Sequence, residues 1–181
     1  MMDSTLGTEE QVLLMATLKF ANLAEIKSVD QVHKLFKSFI VQKIQKSEVD
    51  AFKNDQTELR NWLDLLMKQE GRRNTQLLKK VDKLLSNTAY AELGIENGVI
   101  GIKKFKFPGV QSCYAYAVAL LIDRNKALTP FLRRCAAPEC GIYFLAKKKR
   151  GGKPNYCCEE HKDAAQNAQN LKRVNKYYGK L

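Results

Sequence analysis

The chain has 181 residues, 45% of them hydrophobic and 28% charged, with a net charge of +12. That apolar share supports a buried core and excludes wholesale disorder. The longest dense apolar stretch, residues 113–122, is about half of a bilayer span, so no transmembrane helix and no membrane partner are expected.

In chain order, the first half reads as helices. Over 8–24, Val12, Leu13, Met15, Ala16, Leu18 and Phe20 form a broad stripe, with Thr8 as cap and Glu9 and Glu10 at the positive end of the dipole. Ser28 opens a second helix carrying Val32, Leu35, Phe36 and Phe39 at helical spacing. Ser47 caps a third, with Phe52, Leu59, Leu63 and Leu66, which ends at Gly71. A fourth starts at Asn74 or Thr75 and carries Leu77, Leu78, Val81, Leu84 and Leu85. The period then drops to two: Ala91, Leu93 and Ile95 precede Asn97-Gly98, a tight-turn dipeptide, and Ile100 and Ile102 follow it. This predicts a β-hairpin over 90–106. Residues 110–125 are apolar on nearly all sides and predict a buried central helix, with Cys113 as a small core residue. Thr129-Pro130 predicts a short turn running toward Arg134. His33 is expected to be a surface or core residue, because nothing of metal-ligand type lies near it in the chain.

The last fifty or so residues differ in kind. Residues 131–181 hold 12 Lys and Arg against 4 Asp and Glu, two-thirds of the excess charge. A basic terminal module favours a polyanionic partner through phosphate contacts and counterion release. The N-terminus, MMDSTLGTEEQ, has no basic stretch followed by an apolar one, so no secretory signal and a cytoplasmic location are expected. Five cysteines in that compartment argue against a disulfide framework, and four of them lie between 135 and 158. Cys135 and Cys140 enclose four residues, and Cys157 and His161 enclose three. Two short-spaced pairs joined by a loop can supply the four tetrahedral ligands that zinc takes. The first pair contains Pro138 and is followed by Gly141, which suits a tight knuckle. The second opens a strong helix former, and spacing of four puts Cys157 and His161 on one helical face. Cys158, with a gap of two to His161, is the alternative to Cys157. A knuckle followed by a helix, each giving two ligands, is treble-clef-like. Residues 128–181 are expected to need such a staple, having few large aliphatic side chains of their own.

Four protein ligands leave no open position for a catalytic water. The chain also lacks a nucleophile elbow, a phosphate-binding loop, a metalloprotease helix motif and a dinucleotide fingerprint, so no enzymatic activity and no catalytic residues are expected. Two basic features remain. One is the Lys147, Lys148, Lys149, Arg150 and Lys153 loop between the ligand pairs. The other is the last helix. Laid out at 100° per residue, it carries Ala164, Ala168, Leu171, Val174 and Tyr178 on one arc, expected to pack inward. Lys162, Arg173, Lys176 and Lys180 fall on the opposite arc, with Gln166 and Gln169 among them. Arg and Lys contact phosphates, and Gln can read an adenine edge. A solvated polar face is the plainer reading of the same residues.

The stretch LRRCAAPECGIYFLAKKKRGGKPNYC resembles the C-terminal zinc finger of CGNR-type bacterial proteins: an arginine-rich lead-in, a C-x4-C knuckle, an aromatic-aliphatic strand, a basic loop, and an aromatic-Cys start to a basic helix. The region ahead of it is similar in element order to the ABATE domain that accompanies such fingers. The resemblance implies a bacterial transcription regulator. The Cys-Gly-Asn-Arg tetrapeptide itself is missing, and His161 is followed here by Lys-Asp-Ala-Ala, so no base-reading role of an Asn-Arg pair is carried over.

The expectation is an α+β, mainly helical protein. Residues 1–127 form a helical domain with one hairpin, and residues 128–181 form a basic, zinc-bound, treble-clef-like module. Its expected function is nucleic-acid binding, double-stranded DNA first, in transcription control, with a homodimer or a small-molecule effector served by the larger domain. A zinc-stabilised protein- or RNA-interaction module is the alternative. The nucleic-acid contacts are expected from Lys147, Lys148, Lys149, Arg150, Lys153, Lys162, Arg173 and Lys176.

Overall fold

The computed structural model describes residues 7–40, 49–68, 75–86, 90–96, 99–123, 128–146 and 155–178, and for 90–105 it describes the backbone. The protein is mainly helical, with two short antiparallel hairpins. It divides into two compact units, Met1–Pro130 and Phe131–Leu181, so the division falls after Pro130, close to the expected boundary at 127/128. Among the described residues no helix is long and apolar enough to cross a membrane.

The first unit holds α1 (Thr8–Asn22), α2 (Val29–Phe36), α3 (Val49–Met67), α4 (Thr75–Leu85), β1 (Tyr90–Glu96), β2 (Val99–Lys106) and α5 (Val110–Ile122). The helix starts follow local chemistry. Ser28 caps α2, its Oγ accepting from the Gln31 amide at 3.3 Å. At α1 the cap is Gly7 rather than Thr8, and the Glu10 carboxylate accepts from the Gly7 amide at 3.0 Å. A carboxylate reaching back to the cap satisfies a donor that has no intrahelical partner. Ser47, Gly71 and Asn74 lie outside the described residues; α4 begins at Thr75.

Helix α5 is the centre of the unit and packs against α1, α3 and α4. Cys113, Tyr114, Ala115, Ala117 and Val118 in it are fully buried. The Tyr114 ring meets Trp62 of α3 edge to face at 5.4 Å between centroids. Phe20 of α1 meets Phe36 of α2 in the same geometry at 5.7 Å. Helix α5 ends at Ile122, short of the expected Asn125, where the Asp123 amide bonds the Ala119 carbonyl. Beyond it the Thr129 hydroxyl donates to the Leu121 carbonyl.

The α1 stripe differs from the expected one. Leu13, Leu14, Ala16, Thr17, Leu18, Phe20 and Ala21 are buried, whereas Val12 and Met15 are exposed. The helix is apolar over so wide an arc that composition alone does not say which part faces α5. In α4 only Leu77 and Val81 are buried, and Leu78 is exposed. The hairpin pairs Tyr90 with Lys106 and Glu96 with Val99, with a bulge between Glu92 and Leu93. The expected turn residues Asn97 and Gly98 lie outside the described residues.

Two polar side chains of α3 close the C-terminal end of α1. Gln56 donates from Nε2 to the carbonyls of Phe20 (2.8 Å) and Leu23 (2.9 Å). Arg60 donates to those of Ala21 (2.7 Å) and Leu23 (2.8 Å). The last carbonyls of a helix have no intrahelical donor, and leaving such a group buried and unpaired is costly. Gln56→Ala should therefore destabilise the first unit by about 1–3 kcal/mol. The readout is a lower urea midpoint at unchanged slope; an unchanged midpoint would mean that water serves these carbonyls equally well.

Candidate metal centre

A three-residue 3-10 turn (Thr129–Phe131) spans the division between the units and leads into β3 (Leu132–Arg134). The expected short turn at Thr129-Pro130 is present, and the residues that follow it toward Arg134 form a strand. β3 pairs antiparallel with β4 (Tyr143–Leu145), matching Leu132 to Leu145 and Arg134 to Tyr143. Helix α6 spans Glu159–Tyr178.

The knuckle sits at the end of this second hairpin. The Cys135 amide donates to the Ile142 carbonyl at 2.8 Å, and the Cys140 amide to the Ala137 carbonyl at 3.1 Å. Gly141 turns the chain back with φ +61, a left-handed conformation that any Cβ would strain. A Cβ there would also meet the Arg134 guanidinium at 3.4 Å. That guanidinium lies over the Tyr143 ring, 5.6 Å from its centroid. The Ala136 amide bonds the Asn155 carbonyl at 2.9 Å and so ties the knuckle to the segment entering α6.

This tie brings the two ligand pairs together. The sulfur atoms of Cys135, Cys140 and Cys157 and one ring nitrogen of His161 all lie within 4.8 Å of one another. Cys140 Sγ is 3.6 Å from Cys157 Sγ, Cys135 Sγ is 3.6 Å from His161 Nδ1, and Cys157 Sγ is 3.2 Å from the same nitrogen. Bonds of roughly 2.3 Å to sulfur and 2.0 Å to nitrogen around a tetrahedral zinc give edges of about 3.8 Å between sulfurs and about 3.5 Å between sulfur and nitrogen. These three separations are close to that size, and the whole group is compact enough for the four side chains to hold one metal ion.

The electrostatics of the cluster suit a cation. Burial alone raises the Cys135 thiol, but the amides of Ala137 and Cys157, with the neighbouring thiol and imidazole, bring it down to about 7. Burial and the surrounding thiols push Cys157 up to about 12. One thiol ionises readily and then discourages its neighbour, an arrangement that a divalent cation relieves by taking the place of the protons.

Cys157 belongs to the cluster and Cys158 does not, although their sulfurs are 3.9 Å apart. The reason differs from the expected one. Cys157 lies ahead of α6, not on its face; the helix begins as the Lys162 amide approaches the Cys158 carbonyl at 3.4 Å, and only His161 is helical. Cys113 is fully buried in α5, where desolvation holds its thiol well above the usual range, as befits a core residue.

The residues expected to meet nucleic acid are placed as follows. Lys147, Lys148, Lys149, Arg150 and Lys153 lie outside the described residues. Lys162, Arg173 and Lys176 lie on α6 and are exposed. Lys162 pairs with Glu159 at 2.8 Å. Lys172, which falls between the two arcs of the helical wheel and is not one of the expected residues, is exposed beside Arg173. The expected inward packing of the apolar arc does not occur: no residue of α6 is buried, and Leu171, Val174 and Tyr178 are 63%, 48% and 71% exposed.

Comparison with protein-family models gives no match to this chain, and comparison with curated proteins gives none either. The site therefore rests on its own geometry. Cys157→Ser should lose bound metal while Cys158→Ser retains it, as read by elemental analysis of purified protein. The reverse pattern would move the ligand to Cys158.

Proposed function

We propose that the Cys135, Cys140, Cys157 and His161 cluster holds a structural zinc ion, and that the unit it organises binds nucleic acid, double-stranded DNA first, through the cationic arc of α6. The donor set supports zinc: three thiols and an imidazole at tetrahedral spacing suit a borderline-soft ion, and four protein ligands close its shell. That closure favours a structural role over a catalytic one.

The observation that carries the nucleic-acid reading is that α6 buries no residue along its length. Arg173 and Lys176 are exposed there with Lys172, Gln166 and Gln169, and no ion pair holds these three cations among the described residues. A helix that buries nothing and presents Arg173 and Lys176 outside any ion pair on one arc is suited to phosphate contact, and the glutamines of that arc suit base edges. The resemblance of the segment to CGNR-type fingers agrees with this and supports a role in transcription control. In that role the helical unit, residues 1–130, serves to receive an effector.

Duplex titration tests the reading. Arg173→Ala/Lys176→Ala should weaken binding and lower the slope of log affinity against log salt by about 0.9 for each phosphate that is no longer neutralised. Zinc content should be unchanged. Affinity and slope equal to wild type would make the arc a solvated surface. Tighter binding of single-stranded RNA than of duplex DNA would shift the reading to RNA.

Metal removal gives a second test. Cys140→Ser should unfold the second unit, because apparent zinc binding energy on the order of 10 kcal/mol is folding energy for such modules. The first unit has its own core and should stay folded, so limited proteolysis should trim the variant near residue 130. Equal resistance of mutant and wild type would show that the unit folds without metal.

A further inference from the structure

Among the described residues, nothing covers the arc of α6 opposite its cations. Ala164, Ala168, Leu171 and Tyr178 recur at alternating steps of four, three and seven, with Asn175 at the intervening position and Val174 alongside. This is the spacing that seams two helices together, and a lone Asn within such a seam fixes register. All of these residues are exposed. Solvated positions at a helix surface do not need this spacing, whereas a partner helix does.

Charge along the same helix identifies the partner. Its first turns carry Glu159, Glu160 and Asp163 against Lys162, a net negative end, and its last turns carry Lys172, Arg173 and Lys176. A helix with opposite signs at its two ends is complementary to itself when turned end for end. That self-complementarity is what an isologous dimer requires. Antiparallel pairing sets each acidic end beside a basic end and opposes the helix dipoles favourably, whereas parallel pairing sets like beside like. A two-fold axis midway between Ala168 and Leu171 also seats small against large. Ala168 then faces the partner's Leu171, and Ala164 faces the partner's Asn175.

From this we infer that the protein forms a homodimer through an antiparallel α6 pair, with Ala164, Ala168, Leu171, Val174 and Tyr178 in the seam. Gln166, Gln169 and Arg173 lie on the far arc of each helix and stay exposed. The dimer is independent of the nucleic-acid reading, and its test contains no nucleic acid.

Sedimentation equilibrium of the zinc-loaded full chain should show concentration-dependent association toward twice the 20.6 kDa chain mass. Leu171→Glu should weaken that association at least tenfold. Leu171 is solvent-exposed, so the variant should keep its zinc and its helical circular dichroism, which separates loss of the seam from loss of folding. Added salt should weaken the wild-type dimer several-fold, because the paired ends attract. A wild-type chain that stays monomeric throughout, or a Leu171→Glu chain that dimerises equally, would overturn the inference. A dimer that strengthens with salt would overturn the antiparallel arrangement.

Discussion

The second unit must hold its shape with almost no apolar interior. Among its described residues only Leu132, Arg133, Cys135 and Tyr143 are buried. Apolar burial on that scale cannot offset the conformational entropy of ordering the segment. What converges is polar and soft: three sulfurs and a ring nitrogen within 4.8 Å. The features around it follow from that convergence. The left-handed Gly141 returns the chain beside Arg134, the Ala136 amide reaches Asn155, and α6 starts where the last two cluster residues sit. Each is a backbone solution to bringing two distant pairs into one small volume.

The first unit solves the same problem the usual way. A helix apolar on nearly all sides lies among three others, and its small residues, Ala115 and Ala117, let neighbours approach. The cost appears at the helix ends, where α1 runs out of donors. Gln56 and Arg60 of α3 meet that need, so two residues that look like ordinary polar positions of an amphipathic helix fix how α1 and α3 meet. The two units thus differ in what converges at their centres, apolar side chains in one and a Cys/His cluster that can hold a metal in the other.

Much of this is legible in the sequence because it is local. Serine before an apolar run, an Asn-Gly between two alternating segments and two spaced ligand pairs each leave a signature within a few residues. The four side chains that cluster are readable for the same reason. What is not readable depends on what a face meets. Val12 and Met15 sit in an apolar helix as naturally as Leu14 and Ala21, and only the position of α5 decides between them. The strand Leu132–Arg134 escapes a reading by pattern because three residues carry no period. The outward apolar arc of α6 misleads because amphipathicity says that a face wants a partner, not that the same chain supplies one. Gln56 and Arg60 give no signal at all, since their partners are carbonyls more than thirty residues away.

A helix of 20 residues that buries nothing lies close to the balance between helix and coil in water. Its alanines, glutamines and terminal charges favour propagation, but the first turn is the expensive step. In α6 that turn is held by the cluster, through Cys157 just ahead of it and His161 within it. With the proposed metal bound, the cluster would act as a nucleation site for the whole element. Within one chain, protection of backbone amides against hydrogen exchange is then expected to decline from His161 toward Tyr178, with distance from the cluster. The cations Lys172, Arg173 and Lys176 belong to the part of the helix farthest from the cluster.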